Sequence, residues 1–120
     1  MGTPDHLDLG RIGESAALDA YLQTGYRVVA RNWRCPIGEI DLIVALGAEL
    51  VFCEVKARRG TGLGGPYEAV TWKKQRKLRA LADAFLTTSG LDPPAVRFDV
   101  ASVTFDARGR ASVYLFEQAF

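Results

Sequence analysis

Two apolar runs, Glu39-Ile40-Asp41-Leu42-Ile43-Val44 and Leu50-Val51-Phe52-Cys53-Glu54-Val55-Lys56, flank Gly47-Ala48 and carry charge where a sheet should bury hydrocarbon. Both are rich in β-branched and aliphatic residues, and a short Gly-containing loop separates them. They read as a β-hairpin with strands over roughly 39–46 and 49–57. Side chains alternate between the faces of a strand. Glu39, Asp41 and Ile43 therefore share one face, and Ile40, Leu42 and Val44 the other. On the second strand Phe52, Glu54 and Lys56 share a face opposite Val51, Cys53 and Val55. A loop that pairs Leu46 with Glu49 sets Asp41 opposite Glu54 and Glu39 opposite Lys56. Like charges opposed in this way destabilise a hairpin. A divalent cation between Asp41 and Glu54 removes the fault, because Mg²⁺ takes hard oxygen ligands from one or two carboxylates together with substrate phosphates. Lys56 then points at the same place, as a point charge for a phosphate or a nucleophilic water. The plain alternative is a solvated face whose exposed ion pairs contribute little. Ile43, Leu50 and Phe52 on the same faces argue against a wholly wet surface.

Charge is unevenly distributed along the chain. Between Lys56 and Arg79 there are eight basic residues (Lys56, Arg58, Arg59, Lys73, Lys74, Arg76, Lys77, Arg79) and one acid, Glu68, although the whole chain carries a net +1. A one-signed basic strip beside an acidic pocket suits a phosphate polymer and a metal, with a solvated helix face as the alternative. His6 is the only histidine. That excludes a Ser-His-Asp triad, an HExxH zinc site and histidine-metal nuclease chemistry, and leaves acid–base work to carboxylates, lysine and bound water. Cys35 precedes Pro36 and Cys53 lies mid-strand, so neither a structural disulfide nor a zinc site is expected.

The 120 residues predict a single domain spanning 1–120, with residues 1–8 as a disordered tail. No apolar run approaches the roughly 20 residues of a membrane span. The N-terminus, with Asp5 and Asp8, lacks a basic-then-apolar signal pattern, which predicts a cytoplasmic protein without a membrane association. The pattern predicts a helix over 9–24 ended by Gly25, with Glu14, Ala17, Leu18 and Tyr21 on one stripe. Glu14 thus aligns with apolar residues, either as a carboxylate aimed at a polar site against the sheet or as a charge near the helix start. A strand over 26–32, a connector over 33–38 and the hairpin follow. Residues 59–66, with four glycines, read as a linker or a flap beside the site. A second helix from Tyr67 or Glu68 to about Thr88 buries Val70, Leu78, Leu81, Ala82 and Phe85. Strands over 96–105 and 111–116 join at a turn from Asp106 to Gly109. Asp99 reads as a structural partner for a basic residue. The order α-β-β-β-α-β-β predicts an α/β sandwich on a mixed sheet.

Asp41, a twelve-residue gap and Glu54-Val55-Lys56 resemble the PD-(D/E)xK signature of restriction-endonuclease-like nucleases. The likeness extends to Gly13-Glu14, Gly38-Glu39-Ile40-Asp41-Leu42-Ile43, Val51-Phe52-Cys53-Glu54-Val55-Lys56-Ala57-Arg58, Lys74-Gln75, Lys77-Leu78 and Arg97-Phe98-Asp99-Val100. In these the chain resembles the YraN-like family of small bacterial proteins from about Gly10 to Phe120. Cys53, where valine is usual, and Ala57 depart from the pattern without touching the expected site. The resemblance implies a restriction-endonuclease-like core and a metal-dependent nuclease. Asp41 and Glu54 would hold Mg²⁺ or Mn²⁺, with Glu14 or Glu39 as a further ligand and Lys56 orienting water or stabilising charge on the phosphate. Lys73, Lys74, Gln75, Lys77 and Arg58 would contact the nucleic acid, DNA ahead of RNA, and a homodimer would help such a small nuclease grip a duplex. The alternative is a nucleic-acid-binding or partner-binding module that keeps the nuclease fold with little activity of its own.

Overall fold

The computed structural model describes residues 6–60 and 70–120. Its elements are α1 (His6–Gln23), β1 (Arg27–Cys35), β2 (Gly38–Leu46), β3 (Glu49–Arg59), α2 (Trp72–Ser89), β4 (Ala95–Phe105) and β5 (Ala111–Phe116). The five strands form one sheet in chain order. All neighbours are antiparallel except β3 and β4, which run parallel and are joined through α2. A parallel pair needs such a crossover, whereas the other pairs close through short turns. This α/β arrangement, in the order α-β-β-β-α-β-β, is that of a restriction-endonuclease-like core.

The helices cover opposite faces of the sheet, which makes three layers. Leu9, Ala17, Leu18 and Tyr21 of α1 pack on Leu42, Val44, Val51, Cys53, Ala101 and Val103. Leu78, Leu81, Ala82 and Phe85 of α2 pack on Ile40, Ile43, Leu50, Phe52, Phe98 and Val100. The apolar members of the predicted α1 stripe are buried, as is the α2 stripe from Leu78 to Phe85, whereas Glu14 is half-buried and the buried Val70 precedes α2. Gly25, at φ 93°, ends α1 as expected, and its N–H donates to the carbonyl of Leu22. Asp106 accepts the N–H groups of Arg108 and Arg110 and holds the β4–β5 turn.

Three boundaries differ from the sequence prediction by three residues or more. The first helix starts at His6 rather than residue 9, so part of the expected tail over 1–8 is helical. The rest of that tail, the 59–66 loop beyond Gly60 and the expected helix start at Tyr67 or Glu68 lie outside the described residues. The second described helix begins at Trp72, because Thr71 takes an extended backbone (φ −63°, ψ 156°) and its hydroxyl accepts the Lys74 N–H as an N-cap. Strand β1 continues through Trp33 to Cys35, pairing Cys35 with Gly38, so the predicted connector shrinks to a turn at Pro36-Ile37.

The sheet also buries a charge that is fully satisfied. The fully buried Asp99 receives Arg97 Nε at 2.9 Å, Arg97 Nη2 at 2.9 Å, the Tyr21 hydroxyl at 2.6 Å and the Gln118 N–H at 2.9 Å. Arg97 also donates to Glu49 and to the Tyr26 hydroxyl. Burial pushes the Tyr21 phenol far above its ordinary pKa, and the nearby Cys53 and Asp99 reinforce the shift, so Tyr21 is a permanent donor. Burial likewise pushes the Cys53 thiol up and keeps it protonated. The cysteines form no disulfide.

Candidate metal and nucleic-acid site

The hairpin register is the expected one over its first half, from Leu46↔Glu49 to Leu42↔Cys53. The ladder stops there. Asp41 does not continue as a paired residue opposite Glu54; its Oδ2 accepts the Val55 N–H at 2.8 Å instead. A side chain thus takes a donor that a continued ladder would give to a backbone carbonyl. The alternation of faces also changes phase at this point. Ile40 packs with Ile43 and Ala45 under α2, whereas Leu42 and Val44 pack under α1. Strict alternation puts Ile40 with Leu42, so that prediction is corrected. The neighbouring strand shows a cause. Asn32 is flanked by the pairs Arg31↔Leu42 and Trp33↔Ile40, so it sits beside Asp41, and it has φ 49°. A left-handed residue there re-aims both strands, as a bulge does.

The break gathers carboxylates. One ligand oxygen from each of Glu14, Glu39 and Asp41 lies within 4.8 Å of the others. Glu14 comes from α1, which approaches the sheet closely at Gly13. A Cβ at Gly13 would lie 2.7 Å from the Ala57 Cβ and 3.9 Å from the Val103 Cβ. Ala57 is thus the side chain against which the glycine before Glu14 is seated. Glu14 also accepts from Asn32 Nδ2 at 2.9 Å, and Glu39 from Arg34 Nε at 2.7 Å. Glu39 is thus paired across β1 rather than opposite Lys56, because the β2–β3 ladder has already ended.

Burial pushes the Asp41 carboxyl up to about 7, with Glu54 the largest charge contribution and Glu14 and Glu39 adding to it; the Val55 N–H opposes the shift. Three half-buried carboxylates in this setting are a hard-oxygen donor set for Mg²⁺ or Mn²⁺, whose ligands sit at about 2.1 Å for Mg²⁺. The donor set fits such a cation, which would also relieve the mutual repulsion.

Glu54 stands apart from the three oxygens. Its Oε1 lies 3.2 Å from Lys74 Nζ, which ties the first turn of α2 to the acidic group. Phe52 packs under α2, while Val55 and Ala57 pack on the α1 side, so Glu54 and Lys56 lie on the α2 side of β3. Lys73, Arg76 and Lys77 line an open groove of about 370 Å³ on α2. The Lys77 stem rests on Gly38, the residue before Glu39, with its Cε 3.1 Å from where a Cβ would be. Gln75 gives its side-chain amide to the Val70 carbonyl at 2.9 Å. Arg58 lies in β3, beside Thr104 in the parallel register.

Asn32, Arg34 and Ser102 escape sequence reasoning. An asparagine inside a β-rich run was a usable signal for a left-handed break. Arg34 carried none. Ser102 is paired in register with Lys56 and is 3% exposed, and its hydroxyl has no hydrogen-bond partner among the described residues. Among the described residues, no helix is long and apolar enough to cross a membrane.

A restriction-endonuclease-like core with acidic side chains gathered at the end of its central hairpin defines the class. Within it, residues 13–103 match the model of the uncharacterised protein family UPF0102, and the chain belongs to that family. It is 48% identical over 112 residues to a UPF0102 protein of Symbiobacterium thermophilum, covering 93% of this chain and 95% of that one. It is 44% identical over 112 residues to a UPF0102 protein of Moorella thermoacetica, covering 92% and 93%. With one from Rhodococcus jostii it shares 50% identity over 98 residues, covering 82% and 83%.

Proposed function

We propose that the protein is a metal-dependent nuclease that hydrolyses phosphodiester bonds in nucleic acid. The observation that carries this reading is the group Glu14, Glu39 and Asp41, whose ligand oxygens lie within 4.8 Å of one another where the β2–β3 ladder breaks. A purely structural sheet gains nothing from like charges so placed. These residues would hold Mg²⁺ or Mn²⁺, with Glu54 outside the group but near enough to raise the Asp41 pKa. Such a cation supplies Lewis-acid polarisation of a phosphoryl oxygen and a water of lowered pKa. Lys56, on the α2 side of β3 with Glu54, offers a positive charge where negative charge grows on the phosphate. The basic first turns of α2, through Lys73, Arg76 and Lys77, would hold the flanking phosphates. Asp41 has to be ionised to serve, which its raised pKa of about 7 allows at neutral to alkaline pH.

The experiment is cleavage of a panel of single-stranded, duplex, flap, junction and RNA substrates with Mg²⁺ and Mn²⁺. Asp41→Asn and Lys56→Ala serve as the comparison. Metal-dependent cleavage lost in both variants, with nucleic-acid binding retained in Lys56→Ala, is the expected result. Cleavage that persists in Asp41→Asn contradicts the assignment. A second reading, a nucleic-acid-binding module of the same fold with little activity of its own, is favoured by one observation: Glu54 is engaged by Lys74 rather than grouped with the other three oxygens. Strand binding without cleavage of any substrate supports it.

A further inference from the structure

We propose that Trp72 is a stacking platform for an unpaired base, so that the strand held along α2 is single-stranded at that point. The inference rests on the nuclease reading only in taking the basic face of α2 as a nucleic-acid surface. Trp72 is 72% exposed, the most exposed large apolar side chain among the described residues. A tryptophan left in water at that level is unusual, since its large apolar area is ordinarily buried in large part. The other tryptophan, Trp33, is packed edge-on against Phe85 at 5.3 Å between centroids. Trp72 is held in a fixed place all the same. It is the first residue of α2, directly after the N-cap Thr71, whose hydroxyl accepts the Lys74 N–H.

The surroundings choose the partner. Residues four apart share a helix face, so Trp72 stands over Arg76, while Lys73 and Lys77 form the adjoining row. Lys73, Arg76 and Lys77 line the groove of about 370 Å³, and the first turn of α2 contains no acid. An exposed aromatic beside a groove whose described lining is all cationic matches a polyanion with flat apolar faces, which describes a single nucleic-acid strand. A duplex presents the same phosphates but keeps its bases stacked on each other.

The test is fluorescence anisotropy of three labelled probes at one fixed salt concentration with chelator present: a 20-mer of deoxythymidine, the same backbone with abasic sites, and a blunt duplex. The proteins are wild type, Trp72→Ala and Trp72→Phe, each checked by thermal melting. Base–aromatic stacking predicts that Trp72→Ala binds the thymidine strand about tenfold more weakly than wild type. Trp72→Phe should recover most of that loss. Neither variant should differ from wild type on the abasic strand or the duplex. Equal affinity of wild type and Trp72→Ala for the thymidine strand overturns the proposal, as does an equal loss on the abasic strand. Failure of wild type to bind any probe overturns the nucleic-acid reading as well, whereas binding that ignores Trp72 overturns only the stacking.

Discussion

Asp41 and Asp99 stand in one sheet, on β2 and β4, on either side of β3, and their surroundings are opposite. Asp99 is fully buried and meets Arg97, Tyr21 and the Gln118 N–H, so every direction from its carboxylate ends on a donor. Asp41 has one backbone donor, from Val55, and three acids close enough to raise its pKa: Glu54, Glu14 and Glu39. A charge that the fold neutralises internally is part of the core, whereas a charge set among its own kind is a candidate cation site. In sequence each is a single aspartate between apolar residues in a β run, and only the opposed Glu54 set Asp41 apart as a ligand while Asp99 read as a structural partner for a basic residue. The partners distinguish them.

The comparison breaks first if Asp99 is dispensable. Asp99→Ala leaves the Arg97 guanidinium and the Tyr21 hydroxyl without their buried partner, and removing one member of a buried pair costs about 3–5 kcal/mol. Asp41→Asn is expected to leave the metal-free protein as stable as wild type or more so, because it removes repulsion and keeps an acceptor for the Val55 N–H. Urea denaturation of the two variants measures the contrast, and equal losses in both erase it.

A second prediction concerns how α1 delivers Glu14. Gly13→Ala drives a methyl to 2.7 Å from the Ala57 Cβ. Overpacking of this kind costs about 1–3 kcal/mol, against roughly 1 kcal/mol gained from helix propensity. The more telling effect is on the site. Displacement of α1 carries Glu14 away from Glu39 and Asp41, so the thermal shift given by Mn²⁺ should shrink. Adding Ala57→Gly should restore it, and a full Mn²⁺ response in Gly13→Ala would show that Glu14 takes no part.

The pH dependence sharpens the account of Asp41. Its folded pKa, about 7, lies above the ordinary carboxylate value of 3.8. Between these values the unfolded chain releases a proton that the folded chain keeps, so the Asp41 contribution to stability falls as pH rises from about 4 to about 7 and is level above. Metal binding has the opposite sign, because the ligand must be deprotonated. Mn²⁺ affinity measured by calorimetry should therefore weaken by up to about tenfold per unit as pH falls below 7, for one coupled proton. A flat profile between pH 6 and 8 removes Asp41 from the ligand set. The smallest expected effect is on the basic groove. Lys73→Ala with Lys77→Ala should lower the slope of log affinity against log salt by about 0.9 per lost phosphate contact on duplex DNA. An unchanged slope assigns the groove to solvent.

The hairpin was legible because its period-2 pattern and short loop fix the register, and the burial of Leu42, Val44, Val51 and Phe52 follows from it. Gly25 and the buried stripe of α2 were legible for similar local reasons. The geometry at Asp41 was not. Alternation assumes an unbroken strand, and Asn32 at φ 49° breaks it beside Asp41. That single backbone feature lets Asp41 group with Glu14 and Glu39, while Glu54 turns to Lys74 across a tertiary contact that no local pattern encodes. All four carboxylates were legible as candidates, but which of them lie together depended on how two strands part.

Thermal melts of wild type and Asp41→Asn at pH 8, each with chelator and with Mn²⁺, test the central claim most directly. Only a site formed in the native state raises the melting temperature by mass action. The account predicts a clear Mn²⁺-induced rise for wild type, none for Asp41→Asn, and a metal-free melting temperature for Asp41→Asn at or above that of wild type. Loss of stability in metal-free Asp41→Asn comparable to the roughly 2–5 kcal/mol expected for the buried-core control Leu42→Ala, with the Mn²⁺ response retained, would make Asp41 a structural residue and contradict the account.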